Sequence, residues 1–179
     1  MATALFIKPD TLKRNTIIDG NVDVDLFIHF VKIAQQIHIR NYLGTDLYNK
    51  ISADIIANSL SGAYLTLVNT HIQPMLIHYA MCDYLPHANY KIKQGGVFKH
   101  SSETAQIATK EEVDYLVAKQ REYAEYYTTR FIDFMAFNQS SYPEYTSNTN
   151  DDIHPDRDSL FNGWVLWKDI NQKKQILRN

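Results

Sequence analysis

The sequence predicts a mainly α protein: a helical bundle with one long central helix, a short β-hairpin and extended N- and C-terminal arms. Three observations carry that prediction. Residues 109–138 contain no Gly or Pro and place apolar side chains at spacings of three and four, the period of one helix face. Further apolar-periodic runs over 23–42, 46–58 and 63–85 are separated by turn residues. A hydrophobic content of 45% with 12% aromatics belongs to a packed chain and not to a disordered one.

At 179 residues the chain suits one domain with appendages. The reading divides it into an N-terminal arm over 1–22, a helical core over 23–138 with a hairpin at 90–100, and a C-terminal arm over 139–179. In the first arm Leu5-Phe6-Ile7 is an apolar triplet that needs a core or a neighbour to hold it, and Pro9-Asp10 and Asp19-Gly20-Asn21 are turn signals. The first helix, Asp23 to Tyr42, opens with Asp23 and Asp25 at the positive end of its dipole and offers Leu26, Phe27, Phe30, Val31, Ala34 and Ile37 as its apolar face. Gly44 can close it in a left-handed cap, and a second helix follows from Asp46 to Asn58 with Leu47, Ile51, Ile55 and Ile56 as its apolar side chains. After Ser59-Leu60-Ser61-Gly62 a third run extends to Leu85, and Pro74 within it predicts a kink or restart near Gln73. Met75, Leu76, Ile77, Tyr79, Ala80 and Met81 mark the stretch after Pro74 as the central buried segment. Tyr90 to Lys93 and Val97 to His100 around Gln94-Gly95-Gly96 read as a hairpin, and 101–108 as a polar connector.

The long helix starts at a capping box, with Thr109 as N-cap and Glu112 three residues on. Val113, Leu116, Gln120, Tyr123, Tyr127, Phe131 and Phe134 form the expected core seam. Beside it runs a second stripe, Tyr115, Lys119, Glu122, Tyr126, Arg130, Asp133 and Phe137, whose aromatics and mixed charges suit water or a neighbouring subunit. From Gln139 to Asp158 the chain is rich in Ser, Thr, Asn, Asp and Pro and reads as extended or irregular. The last segment regains Phe161, Trp164 and Trp167 together with Lys168, Lys173, Lys174 and Arg178, an aromatic-basic composition that suits a docking tail. Tyr115, Tyr126, Arg130, Phe137, Tyr145, Phe161, Trp164, Trp167, Lys173, Lys174 and Arg178 are therefore the candidate contacts to other protomers or to a partner.

Bulk numbers narrow the function classes. A net charge of −2 and a pI of about 6.4 argue against a dedicated nucleic-acid binder with a basic face. They suit a surface that lets DNA pass, because Lys and Arg contacts to phosphate supply most nonspecific adhesion. One cysteine, Cys82, leaves no intramolecular disulfide. The start has too short an apolar run for a secretory signal, and no window suits a membrane span, so a product soluble in the cytosol when made is expected. No phosphate-binding Gly-Lys-Ser/Thr loop, paired-His zinc motif or Gly-x-Ser-x-Gly elbow occurs. His71, His78, Cys82, Asp83 and His87 form the one metal-like group, but the segment is otherwise apolar and a buried small hydrophobe is the usual role of Cys. Asp151, Asp152, Asp156 and Asp158 lack the glycine and closing glutamate of a calcium loop and read as a solvated charge run. No catalysis, cofactor or metal is expected.

Several landmarks in order carry a likeness. They are Thr16-Ile17-Ile18-Asp19-Gly20-Asn21-Val22-Asp23, Ala34-Gln35-Gln36, Tyr42-Leu43-Gly44-Thr45-Asp46-Leu47-Tyr48, Ile72-Gln73-Pro74-Met75-Leu76 with Tyr79-Ala80, Gly95-Gly96-Val97 and Tyr142-Pro143-Glu144-Tyr145. Together they resemble the small head-to-tail connector (adaptor or ring) proteins of tailed bacteriophages, closest to those of phages of Bacteroidetes hosts, including crAss-like phages. The resemblance covers nearly the full chain and implies a non-enzymatic helical protein. It implies a homo-oligomeric ring, usually of twelve copies, beneath the portal in the virion neck. Such a ring extends the channel for double-stranded DNA without specific binding, and holds the next neck or tail ring protein. The alternatives are another phage ring protein, of the head-completion or tail-terminator kind, or a cytosolic protein of unknown chemistry.

Overall fold

The computed structural model describes residues 4–93, 96–99, 108–147 and 152–157. Within them the chain is mainly helical: α1 (Pro9–Arg14), α2 (Ile28–Ala34), α3 (Arg40–Ile56), α4 (Gly62–Leu67), α5 (Gln73–Tyr84), α6 (Lys110–Asn138) and α7 (Pro143–Ser147). Tyr90–Lys93 and Gly96–Lys99 lie antiparallel between α5 and α6, with Ile92 opposite Val97.

The organising element is α5. Met75, Leu76, Ile77, Tyr79, Ala80 and Met81 are all buried, so it is apolar around its whole circumference, as a helix surrounded by others must be. α2 and α6 make its most extensive helix contacts. Pro74 sits where its missing N–H costs least, in the first turn of α5. Just before it, Val68–Ile72 widen into a π turn, and the Gln73 N–H bonds back five residues to the Val68 carbonyl. That is the restart expected near Gln73.

The helix predicted over 23–42 is built differently. Asp23 caps a single 3-10 turn over Val24–Leu26, α2 starts only at Ile28, and a π turn over Gln35–Ile39 joins α2 to α3. A π turn holds extra chain and shifts every later side chain around the axis. Ile37, expected inside, is therefore 54% exposed, while Gln35 is buried. Gly44 breaks α3 at the expected position, but with φ 73° and ψ 166° it is not the left-handed cap expected there: its ψ is extended, a conformation open essentially to glycine alone.

The N-terminal arm is part of the core. Phe6, Ile7, Leu12 and Ile18 are buried, and two glutamines hold the backbone beneath them. Gln35 Oε1 accepts from the Phe6 N–H at 2.9 Å, Gln35 Nε2 donates to the Ala4 carbonyl at 2.8 Å, and Gln73 Nε2 donates to the Phe6 carbonyl at 2.9 Å. The side-chain amides do the work of a neighbouring strand.

Thr109 and Glu112 form the expected capping box at the start of α6. Its core seam, however, is rotated from the predicted one. Ala124, Thr128, Phe131 and Met135 are buried, whereas Leu116 and Tyr123 are exposed. Small side chains let α6 approach α5 closely, and Tyr79 Oη meets Thr128 Oγ1 at 3.2 Å across the contact. Bulky Tyr123 would hold the helices apart.

The segment after Asn138 corrects the expectation of an irregular arm. A 3-10 turn over Gln139–Ser141 leads into α7, where Pro143 occupies the first turn as prolines prefer. Tyr142 and Tyr145 are both buried, with the Tyr142 hydroxyl donating to the Ala63 carbonyl at 3.2 Å. Residues 152–157 then cross the α3 break as a strap. The Thr45 N–H donates to the Ile153 carbonyl at 2.9 Å, the Asp156 N–H donates to the Asn41 carbonyl at 2.8 Å, and Arg40 pairs with Asp152 at 2.5 Å.

Candidate functional site

Uncovered apolar side chains lie on both helices that flank α5. On α6 the stripe at Tyr115, Lys119, Glu122, Tyr126, Arg130, Asp133 and Phe137 faces away from the core, with Tyr115 62%, Tyr126 56% and Phe137 87% exposed. Lys119 and Glu122 pair at 2.8 Å, and the Arg130 guanidinium lies 5.9 Å from the Tyr126 ring centre. An aromatic left this open loses the burial that rewards its size, about 25 cal/mol per Å² of apolar surface. Leu116 and Tyr123 widen the patch along one side.

The other flank was missed in the sequence. Leu26, Ile33 and Ile37 stand exposed on α2 and the turns at its two ends. Ile33 points outward on the regular period of α2, and the π turn carries Ile37 to the same side while turning Ile39 inward with Val31 and Ala34.

Of the other candidate contact residues, Tyr145 is not available to a partner. It is 2% exposed, edge-on to Phe131, and has the Arg157 guanidinium 5.1 Å from its ring centre. Phe161, Trp164, Trp167, Lys173, Lys174 and Arg178 lie outside the described residues.

The metal-like group disperses. His71 stacks on Phe134 with ring centres 4.0 Å apart, and His87 stacks on Phe30 at 5.1 Å. His78 Nδ1 meets Gln120 Oε1 at 2.8 Å while its ring lies parallel to Tyr127. Cys82 is half-buried, which pushes its thiol up to about 11 and makes it a poor nucleophile at neutral pH. Among the described residues no three His, Cys, Asp or Glu side chains converge as a metal would require. Of the acidic run, Asp152 pairs with Arg40, while Asp151 and Asp158 lie outside the described residues.

One polar cleft of about 340 Å³ opens between α5 and α6, lined by His38, Tyr42, Tyr79, Cys82, Asp83, Arg121 and Glu125. The His38 ring stacks on Tyr79 at 3.9 Å, and burial keeps that imidazole neutral by lowering its pKa. Burial also raises the Asp83 carboxyl, against the opposing pull of His38, His87 and Arg121, and its Oδ2 is buried without a hydrogen bond. Cys82 could serve there only as a thiolate, which this environment disfavours.

A protein-family model described as a family of unknown function (DUF6712) matches residues 39–154, from the end of the π turn to the strap. No curated protein and no solved structure matches. Among the described residues no helix is long and apolar enough to cross a membrane.

Proposed function

We propose that this chain, which belongs to the DUF6712 family, is a structural virion protein that forms an oligomeric ring at the phage neck, joins portal to tail and extends the DNA channel. The observation that carries the reading is the pair of uncovered flanks: aliphatic around α2, aromatic and charged on α6, with α5 between them. A ring closed by head-to-tail contacts needs each protomer to present two different faces, each complementary to the other. The resemblance to connector proteins supports the same reading, and so does a net charge of −2, which suits a conduit from which DNA must slide free. In this reading the aromatic-basic composition of Phe161, Trp164, Trp167, Lys173, Lys174 and Arg178 serves contacts to a neighbouring protomer or to the portal.

The test is the mass of the assembly formed when the chain is mixed with its portal, followed by its position in a reconstruction of the particle. A closed ring on the portal, at the collar between capsid and tail, is the expected result. A chain that ignores the portal, or a particle that carries it elsewhere, overturns the proposal.

A further inference from the structure

The outer stripe of α6 is written in an 11-residue repeat. Tyr115, Lys119 and Glu122 are followed at the same intervals by Tyr126, Arg130 and Asp133, and then by Phe137. Eleven residues make almost three whole turns of an α-helix, so such a repeat stays on one face with little drift. The three aromatics of this ridge stand about 16 Å apart along about 33 Å of helix at 1.5 Å per residue, with the Lys119–Glu122 pair between the first two. Within each repeat the cation lies about 33° to one side of the ridge and the anion about 33° to the other. α6 therefore presents a hydrophobic crest with one positive edge, Lys119 and Arg130, and one negative edge, Glu122 and Asp133.

That charge order selects both a partner and a polarity. When two such helices meet crest to crest and parallel, turning the second to face the first brings its negative edge against the positive edge of the first. Lys119 then meets the partner's Glu122, Arg130 meets the partner's Asp133, and Tyr115, Tyr126 and Phe137 each meet their own counterparts. The intramolecular Lys119–Glu122 pair, at 2.8 Å, extends this into a chain of alternating charges across the ridge. When the helices are antiparallel, positive edge meets positive edge along the full length, which opposes association.

We propose that the free chain forms a symmetric dimer through this face, with the two α6 helices parallel and in register about a two-fold axis. The pairing itself is argued from α6 alone. Its significance rests on the ring reading, because it closes the face that the ring must use and so keeps unassembled copies from joining before a portal is present.

Mass measurement of the free chain over a dilution series is expected to give a dimer. A short bis-maleimide should link Tyr115→Cys chains to one another and Phe137→Cys chains to one another. The unsubstituted chain, whose one thiol is the half-buried Cys82, serves as the blank. A mixture of the two variants should yield no mixed product, because the two sites lie at opposite ends of the ridge. Lys119→Glu with Arg130→Glu should weaken the dimer about tenfold or more, as should Glu122→Lys with Asp133→Lys, and mixing these two variants should restore it. Glu122, Arg130 and Asp133 are exposed and Lys119 partly so, on a helix whose core side is untouched, and circular dichroism checks that each variant folds. A monomer at every concentration, mixed Tyr115→Cys/Phe137→Cys products, or charge variants that dimerise normally would each overturn the pairing. A free chain that closes directly into a ring overturns the pairing while supporting the neck assignment. A dimer that never joins portal does the reverse.

Discussion

Gln35 shows how much one side chain settles in this molecule. It is 1% exposed, and its amide bonds the Phe6 N–H, the Ala4 carbonyl and the Tyr48 hydroxyl, so it both accepts from and donates to a segment with no strand beside it. Gln35→Ala leaves buried backbone groups unpaired at a cost of roughly 2–4 kcal/mol, and the expected result is a matching loss in urea unfolding with the N-terminal segment released to protease. The histidines act at the same scale through pH. Burial lowers the pKa of His38, His71 and His78 below the ordinary 6.5, so the unfolded chain binds their protons first. Their contribution is complete above about pH 6.5 and is lost as pH falls through that value toward the lowered ones. Asp83 has the opposite sign. Its carboxyl is raised above 3.8, so the folded chain holds that proton longer and loses stability as pH rises from about 3.8 through the raised value. Thermal unfolding should therefore show a lower midpoint at pH 5.5 than at 7.5, a shallower decline in His71→Phe, and a higher midpoint at pH 7.5 in Asp83→Asn.

At the scale of elements, the break in α3 is where distant parts of the chain are tied together. Gly44 has φ 73°, and a Cβ there would stand 2.7 Å from both Pro155 Cγ and Cδ. Gly44→Ala thus carries two penalties: about 1–3 kcal/mol for a positive-φ, extended-ψ backbone that glycine alone adopts freely, and the displacement of the strap. A double-mutant cycle separates them, since adding Pro155→Ala should recover the part due to the proline ring and leave the backbone cost together with the tight 3.0 Å approach to the residue-155 nitrogen. Much at this scale was legible in the sequence, and what was not has identifiable causes. The α6 start, the break at Gly44 and the restart near Gln73 are written in neighbouring residues, where caps, glycines and prolines act. The seam of α6 differs from the one its large side chains predict, because the close approach to α5 needs Ala124 and Thr128. Ile37 was put inside because a regular period was carried through a π turn. Tyr142 and Tyr145 sit in a stretch whose polar composition suggests no structure, and only their burial against the rest of the fold orders it. Of the candidate contacts, the outward position of Tyr115, Tyr126, Arg130 and Phe137 follows from helical spacing alone; on the α2 flank the same spacing turns Ile33 outward, while the place of Ile37 depends on the π turn.

For the whole molecule, the question is whether the exposed flanks exist for assembly or are ordinary surface. Scattered exposed apolar residues are common and mean nothing singly. Here they are grouped: Leu26, Ile33 and Ile37 around one helix beside α5, and Tyr115, Tyr126 and Phe137 along another. A flank that serves only the protomer should tolerate no less than any other surface, and changing it should have no consequence beyond the protomer. A flank that closes a ring should tolerate the same change in the isolated chain and fail in the assembly. Ile33→Glu with Ile37→Glu distinguishes these cases. Both side chains are partly in water already, at 41% and 54%, so urea unfolding of the free chain should move by no more than about 1 kcal/mol. If the α2 strip meets α6 of the next copy, each subunit contact in the ring then buries two unpaired carboxylates, and heterologous contacts repeat that defect at every step around it. Mixed with portal, the variant should form no closed ring, while its α6-mediated dimer, which does not involve α2, should persist at the same mass. A ring that closes normally with this substitution would remove α2 from the subunit contact and leave the aromatic crest of α6 to face the portal instead.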